Sequence, residues 1–503
     1  MDESSPFRGL EPVGLWRHFE AITRIPRPSR IEDQIAGYIR SWAAEHGYTT
    51  RSDAVGNLCV LVPASRGREA VAPVVLQSHL DMVCERNANS PYDAEQGRIH
   101  VVRLGEFLRA EGTTLGADNG IGVAAMLHVG EAEGIVRGPL ELLFTVDEES
   151  GLTGAKGLDP TLVRGRTLLN LDSEDDGVLF VGCAGAADTQ FLWKAPVQPI
   201  PAGWKGVTVA VSGLQGGHSG VDIHKNRLNA IRATVRLLQR ARERLPLMLI
   251  DLNGGNKRNA IPRECQAKVV YPLGGEGALR QAVDQAVGAL GTQYRGLEDG
   301  LQGTLAEHVP APGATAFSPE ATRELLDMLR ALPTGPVAMS QDIPGLVETS
   351  TSLAVVRSRG ASVEIACSTR SSTALALRDA LDTLKAIGEL AGATSEEQDG
   401  YPGWKPDLSS KVLGVTRRVY RKLFDGDAVV TAVHAGLECG LIGERIPDID
   451  MVSFGPQIDG AHAPGERVNV VSVAKFWKLL LAVLEELAAA PAADSAHQDK
   501  GER

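Results

Sequence analysis

Two adjacent acids, Glu148 and Glu149, end the apolar run Leu142-Leu143-Phe144-Thr145-Val146, and a glycine follows at Gly151. Similar strand-end groups recur. His79 and Asp81 close the run that begins at Leu76, Asp172 closes the run from Leu168, and Asp118 lies between Gly116 and Gly120. With the late His462 these form a candidate metal site. An enzyme that attacks an amide at neutral pH can lower the pKa of a water by binding it to a divalent cation. Two cations about 3.5–4 Å apart share the resulting hydroxide and clamp the transition state. Such a pair needs nitrogen and carboxylate donors with one bridging carboxylate. His79, Glu149, Asp172 and His462 could supply the terminal donors, with Asp118 between the ions. Asp81 is placed to accept the other imidazole N–H of His79, fixing its tautomer. Glu148 is then free to take a proton from the bridging water as general base.

Each residue also has a structural reading. An HxD triplet arises by chance, Asp118 before an apolar helix is a natural N-cap, and a Glu-Glu pair alone suits a solvated turn. His462 alone is a loop histidine. Asp172 is followed by Glu174, Asp175 and Asp176, and most acids in such a run face solvent.

The ordered motifs LQSHLDMV (Leu76 to Val83), GTTLGADNGIG (Gly112 to Gly122), LFTVDEESGLTGA (Leu143 to Ala155), LNLDSEDDG (Leu169 to Gly177), GLQGGHSGVDIH (Gly213 to His224) and HAGLECG (His434 to Gly440) span nearly the whole chain. Together they resemble the M20 family of dinuclear metallopeptidases, in its aminoacyl-histidine dipeptidase branch. The resemblance implies His79, Asp118, Glu149, Asp172 and His462 as metal ligands and Glu148 as base. It also implies a cis Asp118-Asn119 peptide and a role for His218 in stabilising an oxyanion, in dimeric relatives at the neighbouring subunit's site. Asn259 and Arg370 resemble positions that hold the substrate carboxylate. His224 and His434 stay outside the ligand set as structural groups.

The elements that must position these residues follow from periodicity. Helical patterning covers Glu11 to Ile25, Ile31 to Glu45 and Asp118 to Glu133. Extended apolar runs cover Leu58 to Val62, Pro73 to Leu76, Leu140 to Val146 and Thr167 to Leu171. Strands alternating with helices predict an α/β layer with a mostly parallel sheet, whose sites lie at strand carboxyl ends. Composition shifts after Cys183-Ala184-Gly185-Ala186, and Pro196 to Pro201 reads as a turn or link. Strand-helix series then run from Val207 to Tyr271 and from Pro319 to Leu390. Alternation resumes with a helix from Ser410 to Phe424, strands at Val429 to Val433 and Asp450 to Phe454, and a helix from Val473 to Leu487. Because His462 joins ligands from the first part, the two ends must form one folded unit. The expected organisation is a discontinuous zinc-exopeptidase-like catalytic domain, 1–186 and 389–503, interrupted by an α+β lid domain, 187–388. Residues 488–503 are expected to fray.

At 503 residues the chain exceeds a single core. Its 43% hydrophobic and 23% charged content is that of an ordinary globular protein. A net charge of −12 argues against a nucleic-acid partner. The amino terminus carries no secretory pattern and no apolar run reaches membrane-spanning length, so no membrane association is expected. Six scattered cysteines predict reduced thiols and a cytoplasmic location. The expected activity is a dinuclear-zinc dipeptidase acting on unblocked dipeptides, Xaa-His among them, with Co²⁺ or Mn²⁺ as possible replacements and a homodimer as the working form. The alternatives are an N-acyl-amino-acid amidohydrolase and a metal-binding scaffold without activity. All of the ligands and the base are present, which argues against the scaffold.

Overall fold

The computed structural model describes residues 5–398 and 400–489. The chain divides into two compact units. The first comprises 1–182, 406–432 and 438–503, and the second 183–405 and 433–437. The sequence boundaries at 186/187 and 388/389 are thus displaced to 182/183 and 405/406. Gly185–Lys194 is already a strand of the second unit, and a cut at 388/389 would divide the helix Ala374–Leu390. The segments crossing into and out of that unit pair with each other. Cys183 and Trp404 exchange both backbone hydrogen bonds at 2.9 Å, as Ala186 and Tyr401 do at 3.0 and 2.9 Å.

The first unit is built on an eight-stranded mixed sheet in the order Thr49–Ser52, Leu58–Val62, Leu140–Thr145, Val74–His79, Thr167–Asn170, Asp450–Ser453, Val178–Cys183, Val429–Val433. Its four central strands, from Leu140–Thr145 to Asp450–Ser453, run parallel. Both Val74–His79 and Leu140–Thr145 are buried at every residue. That is why they read as continuous apolar runs rather than alternating ones. Even Glu141 is buried there, its carboxylate accepting the N–H groups of Arg164 and Gly165 at 2.7 and 2.8 Å. The helices Val13–Ile22, Asp33–Glu45, Ala117–Glu131, Lys411–Phe424 and Val470–Ala489 bury apolar faces in this unit. The last helix runs through Ala489, so Ala488 and Ala489 belong to it. The rest of the tail expected to fray lies outside the described residues.

The second unit is a nine-stranded antiparallel sheet, centred on Met248–Gly254, Val347–Arg359 and Ser362–Ser371. The helices Ala230–Arg242, Glu276–Gln293, Pro319–Ala331 and Ala374–Leu390 share its core through Leu237, Leu290, Leu325 and Leu384. The segment expected to be a proline link holds a short strand, Val197–Pro199, paired with Thr315–Phe317. Cys59, Cys84, Cys265 and Cys367 are free thiols.

Candidate metal centre

Parallel pairing brings the carboxyl ends of three neighbouring strands together. His79 stands opposite Thr145 and Gln77 opposite Asn170. The chain therefore delivers His79, then Glu148 and Glu149, then Asp172 to one edge of the sheet. The fourth parallel strand ends beside them, Ser453 opposite Asn170, and leads into the loop carrying His462. Asp118 arrives from outside the sheet, in the first turn of the helix Ala117–Glu131. It has non-helical backbone angles there, and the N-cap is Gly116, so Asp118 is not the N-cap. The Asp118-Asn119 peptide is cis.

Asp118 spans two groups of donors. Its Oδ1 lies 3.0 Å from His79 Nε2 and its Oδ2 3.0 Å from His462 Nε2. Asp172 Oδ1 lies 3.2 Å from His79 Nε2, and Glu149 Oε2 lies 2.9 Å from His462 Nε2. Three sets, His79/Asp118/Asp172, Asp118/Glu149/His462 and His79/Glu148/Glu149, each have donor atoms within 4.8 Å of one another. Donors bound tetrahedrally to one ion at 2.0–2.1 Å would sit about 3.3 Å apart, so these spacings need little adjustment. The buried Oε1 of Glu149 has no hydrogen-bond partner among the described residues. Nitrogen and carboxylate donors at these spacings, with an unpartnered oxygen among them, fit divalent cations.

Asp81 does something different from the expectation. The Nδ1 of His79 is 3.1 Å from the Asp81 backbone carbonyl and 3.5 Å from its carboxylate, so the carbonyl is the nearer acceptor. Protonation at Nδ1 leaves Nε2 free to bind. The Asp81 carboxylate instead accepts the backbone N–H groups of Glu148 and Glu149 at 3.0 and 3.1 Å and the Ser29 hydroxyl at 2.7 Å. It thereby orients both glutamates. Asp147, at φ +52°, makes the preceding turn, with its N–H donated to Glu32 at 2.9 Å.

The electrostatics follow from packing acids together out of water. Burial, with Asp172, Glu438 and Glu149 nearby, raises the Glu148 pKa well above the carboxylate range even though His79 opposes it. Burial raises Asp172 as well. Asp118 goes the other way, because its contacts to His462 and His79 outweigh burial and lower it. His462 is pushed up to about 11 by Asp118 and Glu149. For Asp81, burial is overcome by His79, Ser29 and the Glu148 N–H, and the pKa falls to about 2.

Three acids near the centre had no assignment from sequence. Glu174 is raised to about 8 by burial and by Asp118 and Asp172. Glu438, part of the quoted HAGLECG motif, is fully buried. It accepts from Gln77 and Thr145 at 2.6 and 2.7 Å. Gln77 in turn accepts from Asn170, and Asn170 from Ser453, a polar chain that ties the four parallel strand ends together. Glu466 lies four positions after His462, a spacing with no signal of its own.

His218, Asn259 and Arg370 belong to the second unit. His218 and Asn259 meet in a small ribbon, with His218 opposite Ala260 and the Ser219 N–H donating to the Asn259 carbonyl at 2.8 Å. Nδ1 of His218 accepts from Gly220 and Val221 at 3.2 and 3.0 Å, which leaves the proton of the neutral ring on Nε2. Burial and Arg370 lower its pKa. Arg370 is buried, donates to the Tyr401 hydroxyl at 2.9 Å, and has a buried Nε without a hydrogen-bond partner among the described residues. His434 lies 2.7 Å from Ser350 Oγ, and burial and Arg370 hold it down to about 4. The Asn259 side chain is exposed.

Residues 75–486 match the model of peptidase family M20/M25/M40, and the chain belongs to this family of peptidases. It is 40% identical over 480 residues to the cytosol non-specific dipeptidase of Escherichia coli (strain K12), across 95% of this chain and 99% of the relative. Its fold is similar to the crystal structure of aminoacylhistidine dipeptidase from Vibrio alginolyticus, with a TM-score of 0.90, 38% identity, and coverage of 97% and 99% of the two chains. The aminopeptidase PepT of Bacillus cereus shares the fold more distantly, at a TM-score of 0.55 and 17% identity, over 95% of this chain and 99% of that one. Among the described residues no helix is long and apolar enough to cross a membrane.

Proposed function

We propose that this protein is a dinuclear metallo-dipeptidase that hydrolyses unblocked dipeptides, Xaa-His among them. The observation that carries the reading is Asp118, with one oxygen toward His79 and the other toward His462. His79 and Asp172 would hold one cation, His462 and Glu149 the other, and Asp118 both. Zn²⁺ suits this donor set best, and Co²⁺ or Mn²⁺ can replace it. Two bound cations supply a water of lowered pKa and stabilise the negative charge of the transition state.

The remaining chemistry belongs to the side chains. Glu148, half-buried and oriented by Asp81, accepts a proton from the attacking water and returns it to the departing amine. His218, with its proton on Nε2, is a donor for the oxyanion. Arg370, whose buried Nε has no hydrogen-bond partner among the described residues, suits the substrate's terminal carboxylate, and Asn259 assists it. The second unit then acts as a lid that reads substrate length. A cytoplasmic homodimer is the working form. The cytosolic Escherichia coli relative and the free thiols of Cys59, Cys84, Cys265 and Cys367 support the location, and the family resemblance supports the dimer.

Hydrolysis rates for matched free and N-acylated dipeptides, with metal content measured on the same sample, test the reading. Cleavage of the free dipeptides alone by protein holding two cations per chain is expected. Preference for acylated substrates would instead make the protein an amidohydrolase of the same clan.

A further inference from the structure

Glu466 is a buried acid that the chemistry above does not use. Only 2% of it is exposed. Its carboxylate accepts four successive backbone N–H groups, those of Leu115 and Gly116 at 2.7 and 2.9 Å and those of Ala117 and Asp118 at 2.7 and 3.3 Å. Consecutive amides converging on one anion form a nest, and charge-assisted bonds of this kind are the strong ones. Arg27, also 2% exposed, holds the same turn by a carbonyl. It donates to the Gly116 oxygen and, at 2.9 and 2.7 Å, to the Leu80 and Asp81 oxygens.

The connectivity gives this arrangement its meaning. Glu466 is on the segment that carries His462, Gly116 to Asp118 is the turn that presents Asp118, and Leu80 and Asp81 follow His79 directly. The His462 segment is further fastened by Gly465 N–H to the Thr113 carbonyl at 3.1 Å and by pairing of Arg467–Asn469 with Phe107–Ala110. Three chain segments distant in sequence are thus locked through one carboxylate and one guanidinium.

We propose that Glu466 is a positioning residue that, with Arg27, fixes Asp118 relative to His462 and His79 before any cation binds. The proposal rests on reading this site as a metal centre. It predicts that the turn is rigid without metal and that Glu466 sets cation affinity without touching a cation. Glu466→Gln keeps the shape but turns an NH₂ toward amides that need an acceptor.

The test compares wild type and E466Q, both stripped of metal. Hydrogen–deuterium exchange of peptides covering 113–118, Co²⁺ affinity by chelator competition and the visible spectrum of the Co²⁺ form are measured on each. Expected are protected amides in the wild type, faster exchange in the variant, a 10–100-fold loss of affinity for at least one ion and an altered Co²⁺ spectrum. A folded variant with wild-type affinity, spectrum and exchange would overturn the proposal. Should E466Q fail to fold, the wild-type exchange decides, since amides 115–118 exchanging like an exposed loop would equally overturn it. Wild-type protein that takes up no Co²⁺ would instead refute the metal-centre reading, and the exchange data would still judge the clamp.

Discussion

Glu148 and Glu149 are neighbours of identical chemistry, and what separates them is what each one faces. Glu149 reaches His462 at 2.9 Å, whereas Glu148 is held beside Asp172, Glu438 and Glu149, and its pKa is raised well above the carboxylate range. Glu148→Gln preserves the shape but cannot accept a proton. It is expected to keep its metal and lose about 10²–10⁴ in kcat, measured as turnover against metal content. Wild-type turnover would remove Glu148 from the role of base. The acidic run after Leu171 resolves on the same principle. Asp172 faces His79 at 3.2 Å, whereas Asp175 and Asp176 are exposed and Asp176 pairs with Lys475 at 3.0 Å. In the second unit His434, held down to about 4, makes a pH prediction. The unfolded chain takes up this proton near pH 6.5 and the folded chain only near 4. Stability from this group is therefore complete above 6.5 and falls as the pH drops toward 4, by up to about 3 kcal/mol. Denaturation of wild type and His434→Gln across that window should show a shallower pH slope in the variant. Equal slopes would contradict the assignment.

Among the elements, those bearing the site were legible because they are buried on both faces. Leu58–Val62 and Leu140–Thr145 are read almost residue for residue, and the run from Pro73 to Leu76 becomes the strand Val74–His79, three residues longer at its carboxyl end. Residues that act through backbone contacts were not legible. Glu466 and Arg27 bind main-chain groups of a turn that no spacing connects to them. The helix Glu276–Gln293 was missed because Gly277, Gly288 and Gly291 interrupt a pattern whose buried stripe is Leu279, Ala282, Val283, Ala286 and Leu290. The exit from the second unit lies among Gly400, Pro402, Gly403 and Pro406 rather than before Leu390. At Gly116 the junction between turn and helix makes a sharp prediction. Its φ is +69°, and a Cβ there would lie 2.4 Å from Arg27 Nη2 and 2.6 Å from Met82 Sδ. The left-handed conformation and the overpacking together should make Gly116→Ala cost roughly 2–5 kcal/mol, read as a lowered melting temperature. A variant as stable as wild type would show that the turn can open without cost.

At the scale of the whole molecule the chain couples its folding to its charges. The first unit gathers Asp118, Glu148, Glu149, Asp172, Glu174, Glu438 and Glu466 around one region, in a protein of net charge −12. Divalent cations held there would relieve that repulsion and would bind only the folded state. Restoring them to stripped protein should raise the melting temperature, by about 2.7 kcal/mol of stabilisation per site at a hundredfold excess over Kd. A melting temperature indifferent to cation concentration would contradict a site formed by folding. The most direct test is anomalous diffraction from crystals grown with a divalent metal. Two peaks about 3.5–4 Å apart are expected on either side of Asp118, one about 2.0–2.2 Å from His79 and Asp172 and the other at that distance from His462 and Glu149. A single peak, or density remote from Asp118, would contradict the account.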